Sequence, residues 1–179
     1  MKSNLLNLSL LAALLVSVVA PSFSVRASAA VPAAPAITTP RTAPAIFDKT
    51  RFLLHAGIAF FAIHHEYKRF QQGYFAAGAP HRVTNIIKAA AVLLIGVHEA
   101  KVAYGIAEKS KSRTLHALAS PVHALATKMD AIRATFAKGQ GSAADIQRLN
   151  TAASTLNSTA SRNGTGAIKD ISAPLPSGA

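Results

Sequence analysis

The spacing of apolar residues limits what this chain can fold into. Apolar side chains recur at intervals of three and four residues through its central part, and no stretch shows the alternation of a half-buried strand. One stripe of this kind consists of Leu115, Leu118, Val122, Leu125, Met129, Ile132 and Phe136. A second consists of Ile146, Leu149, Ala153, Leu156 and Ala160. Such a stripe places one side of a helix against a partner, so we predict an all-α protein.

Residues suited to helix ends divide this region into four predicted helices. Asp48 and Ser142 fit the N-cap position, and Gly139 fits the left-handed residue that follows a helix. Ser120 and Pro121 predict a kink or a new helix start inside the third helix. The four predicted spans are residues 48–75, 80–109, 113–138 and 142–162.

Two segments within the first two predicted helices resemble each other. Residues 85–101 match residues 52–68 after a shift of 33 positions. The identical pairs are Ala56/Ala89, His65/His98, Glu66/Glu99 and Lys68/Lys101. Both segments are rich in alanine and also contain glycine, and such small residues let two helix backbones approach closely. We therefore predict a close-packed antiparallel helical hairpin, covered by a second antiparallel helix pair as in a four-helix bundle.

The N-terminal segment has the composition of a secretory signal peptide. Lys2 precedes an apolar run over residues 5–20, and Ala27 and Ala29 provide a small-residue cleavage site. This run is shorter than the roughly 20 apolar residues that a membrane-spanning helix needs. We therefore expect a secreted or cell-envelope protein, cleaved near Ala29. The predicted organisation is a signal peptide at 1–29, a Pro/Ala-rich linker at 30–47, a helical domain at 48–163 and a disordered tail at 164–179.

Composition excludes several kinds of chemistry. The chain has no cysteine, which removes disulfides, thiol nucleophiles and Cys-bearing metal sites. Its 7 acidic residues make calcium sites and two-carboxylate hydrolysis poor candidates. The sequence contains no nucleophile elbow and no glycine-rich phosphate loop after a strand. A non-catalytic protein is therefore favoured over an enzyme, although a catalytic triad is a geometry that composition does not show.

The histidines of the hairpin allow two interpretations. If the first two helices are antiparallel, His55, His98 and Glu99 could converge and hold a metal ion or haem. The other interpretation is a structural polar network, because a buried histidine more often donates to a carboxylate or carbonyl than binds a cofactor. Its candidate members are His65, Glu66, Lys68, His98, Glu99 and Lys101. The sequence favours the network, so no cofactor is predicted, and a metal or haem site is the alternative.

The charge of the chain points to anionic partners. It carries 19 Lys and Arg against 7 Asp and Glu, a formal net charge of +12, and many cations lie near predicted helix ends. The residues predicted to contact an anionic partner are Lys68, Arg69, Arg82, Lys109, Lys111 and Arg113, with Lys49 and Arg51 at the same end as the last three. Cell-wall polymers and anionic lipids are suitable partners outside a cell. The export signal, and the lack of a basic face interleaved with aromatic residues, argue against nucleic acid.

These features predict an exported, non-catalytic binding or structural protein of the cell surface, whose basic helix ends contact anionic polymers or lipids. One alternative is a helical protein that binds metal or haem through histidines on facing helices. The other is a membrane-associated hairpin, because residues 52–63 and 89–97 are strongly apolar and have basic neighbours. The sequence does not determine the oligomeric state.

Overall fold

The chain forms helices that pack against one another. The computed structural model describes residues 43–175, so the predicted signal peptide and most of the predicted linker lie outside the described residues. The helices are α1 (Ala43–Gln71), α2 (Arg82–Lys109), α3 (Arg113–His116), α4 (Ala119–Ala137) and α5 (Ala143–Arg162). Residues 43–175 contain no strand, which confirms the all-α prediction. The most extensive contacts join α2 to α1 and to α4, and α5 contacts both α1 and α4.

The first helix differs from its predicted span at both ends. It begins at Ala43, inside the predicted linker, because a proline in the first turn, here Pro44, removes only an N–H group that the helix leaves unpaired. Asp48 is therefore not an N-cap. The helix ends at Gln71, and Phe75 lies in the following loop, where it is buried. The second helix starts at Arg82 rather than at residue 80.

The third predicted helix is divided in two. The single turn α3 is separate from α4, and Ser120 and Pro121 lie in the first turn of α4, which confirms the predicted restart. The seven-residue apolar stripe crosses this break and is buried throughout. The stripe predicted for the last helix is also buried throughout. Periodicity therefore identified the buried side of both elements.

The turn between α4 and α5 uses two predicted capping motifs. Gly139 has φ +73°, and its N–H donates to the carbonyl of Phe136 at 2.8 Å. The next amide donates to the carbonyl of Thr135 at 3.2 Å, which completes a Schellman motif. Ser142 and Asp145 then form a capping box at the start of α5, each side chain accepting from the other's backbone N–H. Both ends of the turn are thus set by local hydrogen bonds.

Gly96 of α2 lies close to residues of both α1 and α4. A Cβ atom at this position would be 2.5 Å from Met129 Cε and 2.9 Å from Ala62 Cβ. Gly105, in the same helix, has no atom within 4 Å of the equivalent position. The two glycines of α2 therefore have different roles, one in close packing and one at an open surface.

We expect Gly96→Ala and Gly105→Ala to change stability in opposite directions. Alanine is a better helix former than glycine, so Gly105→Ala should raise the free energy of unfolding by about 0.5–1 kcal/mol. Gly96→Ala should lower it by about 1–3 kcal/mol, because the methyl group must push α1 away. Urea denaturation of both variants measures the difference. If Gly96→Ala is as stable as Gly105→Ala, the three helices are not as close as described.

Residues 168–171, which belong to the predicted disordered tail, pack along α1. Ile168 is buried, and the N–H of Ile171 donates to the carbonyl of Gly57 at 3.1 Å. His64 Nδ1 lies 2.8 Å from a carboxylate oxygen of Asp170. The glycine allows this approach, because a Cβ atom there would collide with the segment. Pro174, Pro176 and Gly178 had suggested a disordered tail, but the apolar side chain of Ile168, earlier in this segment, is buried in the core.

None of the helices within residues 43–175 is long and apolar enough to cross a membrane.

Candidate functional site

The structure brings together two of the three candidate metal ligands. His55 Nδ1 lies 2.5 Å from Glu99 Oε2, across the interface between α1 and α2. The two side chains are 24% and 16% exposed. His98 is exposed and makes no contact with this pair in the described part of the chain. No group of three or more His, Asp or Glu side chains there could hold a metal ion. The three predicted ligands therefore do not converge, and what forms is a His–Glu pair.

The predicted six-residue polar network is also divided. Lys101 Nζ contacts Asp130 Oδ2 at 3.3 Å, on α4. Arg133 Nε donates to the other oxygen of this carboxylate at 2.9 Å. This bond and the nearby Lys101 hold the pKa of Asp130 below its usual value. Lys68 and His98 are exposed. The repeat therefore does not produce equivalent contacts, because its two copies face different neighbours.

Glu66 is the one fully buried carboxylate among the described residues. Arg69 Nη1 lies 3.3 Å from its Oε1 atom, and Arg69 Nη2 donates to Asn85 Oδ1 at 3.4 Å. The same guanidinium lies over the rings of Tyr74 and Phe75, 5.4 and 5.8 Å from their centroids. These contacts link the end of α1 to Tyr74 and Phe75 in the following loop and to Asn85 at the start of α2. Arg69 is the central member of this cluster.

Burial raises the pKa of Glu66 to about 7, against the opposing effect of Arg69. His65 Nε2 lies 3.8 Å from Glu66 Oε1, which is too far for a hydrogen bond, and it is buried without a partner among residues 43–175. Burial, followed by the charges of Arg69 and Lys68, lowers the pKa of His65. The Glu66 carboxyl group therefore changes its protonation state near neutral pH.

Each of the 7 Asp and Glu side chains of the sequence accepts a hydrogen bond or forms an ion pair within the chain. Asp48 accepts from Ser110 at 3.0 Å, and Glu108 accepts from Tyr104 at 2.5 Å. Asp145 contacts Ser142 and Arg148. The remaining four are Glu66, Glu99, Asp130 and Asp170, whose partners are given above. Because only a few Lys and Arg side chains take part in these contacts, most of the positive charge has no carboxylate neighbour in the described structure.

The six basic residues predicted to contact an anionic partner separate into two groups. Arg69 is held by Glu66 and is only 12% exposed. Arg82 is half-buried and donates from Nε to the carbonyl of Phe75 at 3.0 Å. These two side chains therefore have structural contacts that the sequence did not reveal. The other four are exposed, and they are Lys68, Lys109, Lys111 and Arg113.

One end of the α1–α2 pair carries a cluster of exposed cations, which we call the basic end: Lys49, Arg51, Lys109, Lys111 and Arg113. The hydrogen bond between Asp48 and Ser110 holds the start of α1 against the end of α2. A cavity of about 320 Å³ lies there, lined by Asp48, Arg51, Val102, Gly105, Ile106 and Lys109. The carboxylates of this region are the two engaged by Ser110 and Tyr104. The basic end therefore has a net positive charge, because its five cations outnumber these two carboxylates.

A second concavity, about 480 Å³ in volume, lies between α4 and α5. Its wall includes Thr151, Thr155 and Thr159, each of which donates its hydroxyl to the backbone carbonyl four residues earlier. Arg148 on the same wall is paired with Asp145. Most of the polar groups facing this groove are thus already engaged, and neither periodicity nor composition indicated it as a site.

Neither a protein-family model, nor a curated protein, nor a solved structure matches this chain. Its function must therefore be inferred from its own charges and contacts.

Proposed function

We propose that this is an exported, non-catalytic binding or structural protein of the cell surface that holds anionic polymer or lipid at its basic end. The observation that supports this proposal is the internal engagement of all 7 carboxylates. A protein surface normally mixes both signs of charge, and here the exposed Lys and Arg side chains greatly outnumber the exposed Asp and Glu side chains. Export is part of the proposal on the grounds of the N-terminal sequence. No cofactor is required for this activity.

The arrangement of the basic end suits a polyanion better than a single small anion. Its five cations come from the first turns of α1, the last turn of α2 and the segment that follows. Exposed charges within roughly 10 Å of one another act together at moderate salt. A chain of phosphates or a layer of headgroups can contact several of them at once. The sum of these contacts would provide the affinity, and salt would weaken it.

We also infer that the four long helices form an antiparallel four-helix bundle. Contacts between early α1 and late α2, at Asp48 and Ser110, support this arrangement. So do contacts between late α1 and early α2, at Arg69 and Asn85. The short turn between α4 and α5 favours a second antiparallel pair. In such a bundle the C-terminal end of α5 reaches the basic end, consistent with the contact between Lys49 Nζ and the Gly164 carbonyl at 3.4 Å.

Removing charge from the basic end should weaken binding to synthetic poly(glycerol phosphate). We expect the triple variant Lys109→Gln/Lys111→Gln/Arg113→Gln to bind roughly tenfold or more weakly at low salt, since each cation near an anionic surface contributes up to about 1 kcal/mol. The matched control is Lys128→Gln/Lys138→Gln/Lys169→Gln, which removes the same charge from exposed positions elsewhere. Fluorescence anisotropy with labelled polymer measures both.

Two results would contradict the proposal. Equal weakening in the two triple variants would show that net charge, and not the basic end, controls binding. Binding that is unchanged between low and moderate salt would remove the electrostatic basis altogether.

A further inference from the structure

The large exposed apolar side chains of the described region are concentrated on one part of the fold. All of them lie on α1, on α2 or in the loop between these helices, and α3, α4 and α5 contribute none. They are Ile46, Phe47, Leu54, Tyr74, Val83, Ile87 and Leu94. A soluble protein exposes single apolar residues without consequence, but a concentration of this kind marks a surface that contacts something.

Helix geometry places most of these side chains on the outer side of the α1–α2 pair. Phe47 and Leu54 are seven residues apart in α1, and Ile87 and Leu94 are seven apart in α2, so each pair shares one side of its helix. The same two helices also carry half-buried apolar residues: Ile58, Phe61, Ile95, Val102 and Ile106. At the basic end, residues of both helices line one cavity, so the two outer sides adjoin there. We call this surface the apolar face.

Cations border the apolar face. Arg51 lies between Phe47 and Leu54 on the same side of α1, and it lines the end cavity together with Lys109. Lys88 lies in α2 one residue after the exposed Ile87. The carboxylate that is nearest in sequence to Leu94, Glu99, is bound by His55 at 2.5 Å. Cations of both helices therefore lie beside exposed apolar positions, and the carboxylate nearest in sequence to Leu94 already has a partner.

We propose that the apolar face docks on the surface of an anionic lipid bilayer, with the basic end contacting the lipid phosphates. This inference rests on the proposed function and names lipid as the anion. A soluble polyanion would satisfy the cations but leave the apolar rows in water. A second copy of this chain would bring two cationic borders together. A bilayer interface can accommodate the apolar side chains and the cations together. The apolar side chains enter the boundary between headgroups and acyl chains, while Lys and Arg remain among the phosphates.

The test compares the chain lacking residues 1–29 with its Leu54→Ser/Leu94→Ser variant. Co-sedimentation uses vesicles of phosphatidylcholine with one quarter phosphatidylglycerol, vesicles of phosphatidylcholine alone, and poly(glycerol phosphate). We expect the variant to bind the anionic vesicles roughly tenfold or more weakly, because two apolar side chains no longer enter the bilayer, while its binding to the polymer is unchanged. Both substituted positions are exposed, and circular dichroism melting confirms that the variant is folded.

A fluorescent probe tests the position of the face directly, since the chain contains no tryptophan. Phe47→Trp, at a side chain that is 70% exposed, should shift its emission to shorter wavelength when anionic vesicles are added. Ala131→Trp, at an exposed position on α4, should not shift.

The outcomes separate this inference from the proposed function. If Leu54→Ser/Leu94→Ser binds anionic vesicles as the unchanged chain does, the apolar face is not the docking surface, although binding of polymer by the basic end stands. If neither vesicles nor polymer are bound by the unchanged chain, both proposals fail. If the double variant abolishes a dimer seen by analytical ultracentrifugation and leaves vesicle binding intact, a second copy covers the face and the lipid proposal is overturned.

Discussion

Phe136→Ala is expected to lower the free energy of unfolding by about 3–5 kcal/mol, the largest effect of any substitution considered for this chain. The Phe136 side chain is completely buried at the end of α4. Its ring packs edge-to-face on Phe75, with centroids 6.0 Å apart, and occupies the space that Gly141 leaves open. Alanine would leave a cavity between the α1–α2 loop and the α4–α5 turn.

The same experiment includes a surface control. Leu94 is 54% exposed, so Leu94→Ala should change the free energy of unfolding by no more than about 0.5 kcal/mol. Urea denaturation of the two variants gives both values. A loss below about 1 kcal/mol for Phe136→Ala would mean that the loop and the turn do not meet around this ring.

Glu66→Gln is expected to make the protein more stable at alkaline pH while changing it little at acidic pH. The folded-state pKa of Glu66 is about 7, above its ordinary value of 4.5, because burial disfavours the carboxylate. The folded chain therefore holds this proton more tightly than the unfolded chain does. The resulting stabilisation is complete below pH 4.5 and is lost as the pH rises through about 7. A glutamine at this site has no carboxyl proton to lose, so the variant keeps this stability as the pH rises.

The quantity to measure is the difference in the free energy of unfolding between Glu66→Gln and the unchanged chain. It should be small at about pH 5 and reach about 2–3 kcal/mol in favour of the variant at about pH 8. The lowered pKa of His65 has the opposite effect on stability, but this residue is present in both proteins and its contribution largely cancels. The difference therefore reports on Glu66.

Asp130→Asn provides a control of opposite sign. Arg133, with Lys101, lowers the folded-state pKa of Asp130, so its stabilising contribution is present above about pH 4 and is lost as the pH falls further. The advantage of the unchanged chain over Asp130→Asn should therefore disappear in acid. If the difference between Glu66→Gln and the unchanged chain is the same at pH 5 and pH 8, burial does not raise the pKa of Glu66.

Patterns that act over a few residues were predicted correctly from the sequence. The stripe that ends at Phe136 is buried, α4 starts at the predicted restart, and Ser142 is the predicted N-cap of the last helix. Each of these features depends on helical periodicity or on a backbone hydrogen bond between near neighbours. Helix ends without a strong local signal were placed less well. The first helix ends at Gln71, two residues before Gly73 with its positive φ, whereas the predicted helix continued to Phe75.

The candidate site depended on distances that sequence spacing does not contain. His55 and Glu99 were correctly placed near each other, since an antiparallel pair of helices brings their levels together. His98 was not, because adjacent residues of a helix point about 100° apart and cannot share one partner. Lys101 contacts Asp130 on α4, and the prediction of a hairpin between the first two helices does not reveal this contact. Arg69 and Arg82 were expected at the surface, and the loop between α1 and α2 engages both.

Periodicity and composition established that the chain is helical, which sides of α4 and α5 are buried, and that cations greatly outnumber carboxylates. These properties depend on the three- and four-residue spacing of apolar residues and on the numbers of charged residues. Both are visible in the sequence without knowledge of how the helices pack. The burial of Glu66, the engagement of every carboxylate and the gathering of exposed apolar side chains on the α1–α2 pair came from packing. They depend on which helix packs against each residue. That is determined by the shapes of side chains from segments far apart in the sequence, which local patterns do not contain.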